Sequence, residues 1–146
     1  GGQSNSLGDY ANTIQYVTIA STGNATDFGD LTQGRKSTTG AASSTRGTIG
    51  GGNPPSYSNV IDYITIASTG NATDFGDLTA AKRDPSGAAG TLRAIFAAGQ
   101  TAASTYVNVI DFITIASTGN ASDFGDLTAS KSAMGQGGST AHGGLQ

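Results

Sequence analysis

The sequence predicts an all-β fold of four-stranded sheets packed face to face. Three observations carry that expectation: one segment that occurs three times, apolar residues on both faces of its longest strand, and a composition poor in helix formers. The chain has 146 residues, enough for one ordinary domain, with 23 Gly and no Cys, Trp or Glu. Charged residues make up 12% of it, about half the usual share. The net charge is only −3, so the high charge that accompanies low hydrophobicity in disordered chains is absent. Missing Glu and scarce Leu, Lys and Gln remove most good helix formers. Thr, Ile, Val, Tyr and Phe fill the ordered segments and favour strands.

The repeat is the strongest signal. Ile14 to Thr32 reads IQYVTIASTGNATDFGDLT, Ile61 to Thr79 reads IDYITIASTGNATDFGDLT, and Ile110 to Thr128 reads IDFITIASTGNASDFGDLT, at offsets of 47 and 49 residues. Such near-identity implies recent duplication of one unit. Each unit divides into four expected strands. Strand A runs from Thr45 to Gly51, matched by Arg93 to Gly99; strand B from Asn59 to Ser68; strand C from Asp74 to Thr79; strand D is the small-residue stretch around Ser86 to Thr91. Ser68 to Asn71, between B and C, reads as a tight hairpin because Gly and Asn tolerate positive φ.

In strand B, Ile61, Tyr63, Thr65 and Ala67 share one face, and Val60, Asp62, Ile64 and Ile66 the other. A sheet with one wet face alternates cleanly, whereas this strand is apolar on both sides and belongs inside a stack. Small residues in A and D let neighbouring sheets approach. A four-stranded unit of this size, packed against its copies, meets the requirements of a propeller blade. The blades are expected at about 1–44, 45–91 and 92–140.

The units resemble kelch repeats. Gly51-Gly52 stands for the diglycine, Val60-Ile61-Asp62-Tyr63 for the second element, Phe75-Gly76-Asp77-Leu78 for the Trp-x-x-Leu position, and Lys82-Arg83 for the closing basic residue. The chain departs from that pattern in Phe for Trp, in Gln15 at the Asp position of the first copy, and in a third copy without the closing Arg or the diglycine. The unit is also similar to the Gly-, Ser- and Thr-rich kelch-like repeats of phage tail-fibre and virion proteins. The resemblance implies an all-β, kelch-like propeller of four-stranded antiparallel blades, located on a virion or outside the cell.

Propellers close with about four to eight blades, so three blades per chain need a partner. Residues 141–146 align with strand A, and Gly1-Gly2 with the diglycine. A head-to-tail homodimer, in which residues 141–146 complete the partner's first blade, would give six blades and cover the open edges. The alternative is a piece of a longer propeller; the absence of an initiator Met and of a secretory signal fits an excised segment or a mature product.

Candidate chemistry is sparse. The pairs Asp27/Asp30, Asp74/Asp77 and Asp123/Asp126 recur in each copy. Two carboxylates three residues apart suit a hard cation such as Ca²⁺, but recurrence at one structural position favours turn and strand-end hydrogen bonding. Three equal copies offer no asymmetric acid–base centre. Asp-Phe-Gly, known from kinases, occurs three times in a chain too short for a kinase. Gly50-Gly51-Gly52 lacks the helix and the Lys of a phosphate loop. Asn24, Asn71 and Asn120 head glycosylation sequons, and their turn position explains them. His142 is the sole His and there is no Cys, so neither a nucleophile–base pair nor a Zn site can be built from ordinary ligands.

The A–B connections carry Tyr10/Asn12, Tyr57/Asn59 and Tyr106/Asn108. An aromatic face beside an amide suits sugar binding, while the plainer role is edge packing by Tyr and strand initiation by Asn. The expected function is a non-catalytic binding module that contacts a glycan, a host-surface receptor or another protein through loops. The alternatives are a purely structural self-assembling block, or an excised or engineered propeller fragment. No cofactor is expected. Seven Lys and Arg without a large cluster argue against nucleic acid. No apolar run approaches the roughly 20 residues of a membrane span, so no membrane insertion is expected.

Overall fold

The computed structural model describes residues 2–3, 10–53 and 55–132, and every regular element among them is a β-strand. In chain order these are β1 (Gly2–Gln3), β2 (Tyr10–Ala11), β3 (Thr13–Tyr16), β4 (Thr26–Asp30), β5 (Thr39–Ala42), β6 (Arg46–Gly50), β7 (Val60–Thr65), β8 (Thr73–Asp77), β9 (Ser86–Ala89), β10 (Arg93–Ala97), β11 (Gln100–Ala102), β12 (Thr105–Thr114) and β13 (Ser122–Lys131). All pairings are antiparallel. The all-β expectation holds.

The sheets are grouped differently from the sequence-based units. One four-stranded sheet has the order β5-β6-β7-β8, and the next has β9-β10-β12-β13 with β11 added beside β12. Strand D of one repeat therefore pairs with strand A of the following one: Thr39 faces Gly50, and Ser86 faces Ala97. The two complete sheets run from Thr39 to Asp77 and from Ser86 to Lys131, so the divisions at 44/45 and 91/92 cut the tight D–A hairpins. The physical reason is local. Ser43 closes the turn, accepting at its Oγ from the amides of Thr45 and Arg46 and donating its own amide to the Arg46 carbonyl. Among the described residues, the first copy contributes the two-stranded sheet β3-β4 and the separate two-stranded ladder β1-β2. Residues 141–146, expected to complete a partner's first blade, and His142 lie outside the described residues.

Asp-Phe-Gly is a β-bulge in each copy. Ile14 faces Gly29 but Gln15 faces Asp27; Ile61 faces Gly76 but Asp62 faces Asp74; Ile110 faces Gly125 but Asp111 faces Asp123. The Phe is the extra residue, and the bulge turns its ring toward the following sheet. Phe28 and Phe75 are buried. Gly76 sits at φ +142, and a Cβ there would strike the Gly119 backbone carbonyl. Gly29 has the same relation to Gly70.

The core lies between the two complete sheets. Ile61, Phe75 and Leu78 pack against Ala94, Phe96, Ile113 and Ile115. Phe96 leans on Gly50, where a Cβ would meet the ring at 2.7 Å. The strands of small residues come closest: β5 lies directly against β9, and a Cβ on Gly87 would meet the Gly40 carbonyl oxygen at 2.6 Å. At the opposite edge, the loop after β12 fills the gap beside β8, with the Gly119 amide donating to the Phe75 carbonyl at 2.8 Å.

Gly76→Ala combines a forbidden contact with a strained backbone, so it should lower unfolding stability by about 2 kcal/mol or more. Gly90→Ala, where nothing lies within 4 Å, should stay within about 0.5 kcal/mol. Urea unfolding of the two variants checks the difference.

Candidate functional site

The most elaborate polar arrangement lies at the seam between successive sheets. Arg35, in the segment after β4, reaches into the next sheet and pairs with Asp62 of β7, its Nη2 2.8 Å from Oδ2 and both side chains 0% exposed. Arg35 also donates to the carbonyls of Ile49 at 3.2 Å and Val60 at 2.9 Å. Thr32 completes the cluster: its hydroxyl donates to Asp62 Oδ1 at 2.7 Å and its amide to Oδ2 at 3.2 Å. Burial pushes the Arg35 guanidinium below its ordinary value, with Asp62 and then Asp74 opposing the shift.

One repeat further on, the cluster is rebuilt with Lys for Arg. Lys82 Nζ lies 2.8 Å from Asp111 Oδ2, again out of solvent. The Thr79 hydroxyl donates to Asp111, and Lys82 donates to the Phe96 carbonyl at 3.4 Å. By position, Arg35, Lys82 and Lys131 are equivalent, so the third copy does carry the closing basic residue. Chemically this arrangement fastens sheets. Each carboxylate is paired and sealed from water.

A second seam contact uses the loop between strands B and C. Asn71 Oδ1 accepts from the Asp30 amide at 3.0 Å, and Asn120 Oδ1 from the Asp77 amide at 3.1 Å. Gly70 and Ala72 amides donate to the Phe28 and Asp30 carbonyls, each at 2.7 Å. The loop spans 66–72 between β7 and β8 and is not the tight hairpin expected. Its Asn faces the previous sheet, so the sequon asparagines at 71 and 120 act across the seam and not only within a turn.

The sequence-predicted candidates mostly find structural partners. Asp74 and Asp123 carboxylates accept from the amides of Gly76 at 3.1 Å and Gly125 at 2.8 Å, bracing the bulges. Asp30 and Asp77 act through their backbones as described. Asp27 and Asp126 lie at the bulge positions equivalent to Asp74 and Asp77. Among the described residues, no group of three or more His, Cys, Asp or Glu gathers in a metal-ligand cluster. Lys36 lies over the Tyr10 ring at 5.3 Å and Arg83 over Tyr57 at 5.5 Å, while Tyr106 is 49% exposed. The Asn12 and Asn59 carbonyls accept from the amides of Leu31 and Leu78, and Asn108 Nδ2 donates to the Leu127 carbonyl at 3.4 Å.

Two equivalent shallow pockets were not foreseen. One of about 130 Å³ is lined by Tyr63, Thr65, Ser68, Asn71 and Thr73, and one of about 120 Å³ by Tyr16, Thr18, Ser21, Asn24 and Thr26. Each lies between the end of strand B and the B–C loop. Edge-on contacts hold the rings: Tyr16 to Phe28 at 6.0 Å and Tyr63 to Phe75 at 5.9 Å between centroids. The repeated Tyr, Ser, Asn and Thr within the near-identical segment were the available signal. Copy three has Phe112 and Ser122 at the corresponding positions.

Asp62→Asn should cost about 3–5 kcal/mol of unfolding stability by stranding a buried guanidinium. The paired change Arg35→Met with Asp62→Leu should recover part of that loss. Denaturant titration of both variants decides whether the ion pair or the packing dominates the seam.

The chain matches no protein-family model, and no curated protein matches it.

Proposed function

We propose that the chain is a non-catalytic recognition module, a run of kelch-like propeller blades that contacts carbohydrate through repeated shallow pockets. The wheel-like arrangement is supported by the wedge form of the seam between the two complete sheets, where small-residue strands touch directly on one side and a loop is interposed on the other. The observation that carries the binding reading is the pair of equivalent pockets lined by a Tyr and by Ser, Thr and Asn groups. Such a lining offers hydroxyl and amide donors and acceptors beside an aromatic edge, the chemistry that suits a sugar hydroxyl. Sites that engulf small ligands run to about 300–1,000 Å³, and each of these two pockets holds less than half of the lower figure. Shallow sites repeated at fixed spacing suit a polymer of repeating sugars, where several weak contacts add through effective concentration.

The structural building-block reading is favoured by a different observation, the uncovered outer faces of the first and third copies. The two readings are separated by a broad carbohydrate array. Capture of a glycan, with Tyr16→Phe plus Tyr63→Phe weakening it at least fivefold and leaving thermal unfolding unchanged, supports recognition; one lost hydrogen bond corresponds to about fivefold. No retained carbohydrate across the array removes the recognition reading and leaves architecture.

A further inference from the structure

The two internal seams set a rule that the chain's outer faces also obey. Each seam joins a forward face, made of the bulge Phe, the following Leu and the basic residue, to a backward face, made of two strand-B apolar residues and the loop Asn. Across the copies, the exposure of equivalent residues changes in opposite directions. On backward faces, Ile115 is 2% exposed, Ile66 44% and Ile19 97%. On forward faces, Phe28 is 8% exposed, Phe75 3% and Phe124 58%. The first copy thus shows an uncovered backward face, and the third an uncovered forward face. Val17, equivalent to the buried Ile113, is also exposed. Gly125 has nothing within 4 Å of a built Cβ, whereas its equivalents Gly29 and Gly76 are closed by the next loop.

We infer that the forward face of the third copy docks on the backward face of the first copy of a second chain. This heterologous seam repeats the hydrogen bonds and apolar contacts of the internal ones, with Val17 in the place of Ile64 and Ile113. The Asn24 side chain takes the Asp126 amide, as Asn71 takes that of Asp30, and the loop amides of Gly23 and Ala25 take the Phe124 and Asp126 carbonyls. Phe124 is covered by Val17 and Ile19. The partner is a second copy because both halves of the contact are already present on one chain and each fits the half it meets inside.

A second difference sets the strength of the contact. Where the internal seams offer Asp62 and Asp111 to Arg35 and Lys82, the first copy offers Gln15. Lys131 would then be covered against a neutral amide, which leaves its charge without a counter-ion in a dry seam. The association is therefore reversible, and Gln15 is its specificity-determining residue. The seam shares Val17, Gly23 and Asn24 with one of the two shallow pockets, and its test reads self-association in the absence of carbohydrate.

Sedimentation of the full chain across a concentration series tests it. We expect concentration-dependent self-association that tightens at least tenfold in Gln15→Asp, since close interfacial charge pairs contribute that much or more. Lys131→Ala in the Gln15→Asp background should return it toward the wild-type value. Asn24→Ala should weaken it about fivefold, the equivalent of one hydrogen bond. Gln15, Asn24 and Lys131 are all exposed, so the variants test contact and not folding; a thermal melt for each confirms this. A monomer at every concentration, in both the wild type and Gln15→Asp, overturns the inference. So does association that ignores Gln15 and Asn24, because it would then use another surface.

Discussion

Each seam between sheets is closed by a positive charge from one repeat driven into the next, where an aspartate receives it and itself accepts a threonine hydroxyl from the same repeat as the charge. The pairing of Arg35 with Asp62, and of Lys82 with Asp111, lies wholly out of water. Removing two charges from solvent is expensive, and such a pair holds only where geometry is good and the remaining donors are satisfied. The surrounding carbonyls of Ile49, Val60 and Phe96 meet most of that condition, while Arg35 Nε stays buried without an acceptor. The value of the arrangement is registry. A sheet displaced along its neighbour would strand a buried charge, so the seam admits one alignment, and apolar packing of Phe75 and Leu78 on Ile113 and Ile115 then supplies the bulk of the attraction.

The backbone adapts to the same seam. The bulge at Asp-Phe-Gly breaks the two-residue alternation of strand C and points a ring at the next sheet, and the absent Cβ of its glycine leaves room for the next loop. The same three residues thus place an apolar anchor and admit a backbone contact. Carboxylates that might have served chemistry are drawn into this work: Asp74 and Asp123 brace bulges, and Asp62 and Asp111 lock seams. Hydroxyl, amide and aromatic groups at the ends of strand B and in the B–C loops remain at the surface.

Much of this was legible in the residues. Period and near-identity revealed the repeat, and apolar residues on both faces of strand B required stacked sheets. Ile61, Ile113 and Ile115 are buried accordingly. The phase of the sheets was not legible, because a strand of Gly, Ala and Ser has no side chains to show which neighbour it joins; the Ser43 turn settles it. Asp62 read as one polar residue on an otherwise apolar face, and its partner lies 27 residues earlier, beyond the reach of any local pattern. The amides of Asn71 and Asn120 looked like turn formers for the same reason, since their acceptor role belongs to a neighbouring unit. The small pockets went unseen because Tyr63 sits in a strand pattern that suggests core.

The residues that make the ion pair, the bulge and the loop contact of each seam fall within the nearly invariant segment or a few residues beyond it. The second and third copies can therefore exchange places behind a preceding unit, whereas the first, with Gln15, lacks the aspartate of the ion pair. Unequal recombination between the second and third copies of the coding sequence would delete or insert one whole sheet and keep the ion pair at each remaining junction. The number of units can then drift by integers across generations, lengthening or shortening the array without a misfolded intermediate length.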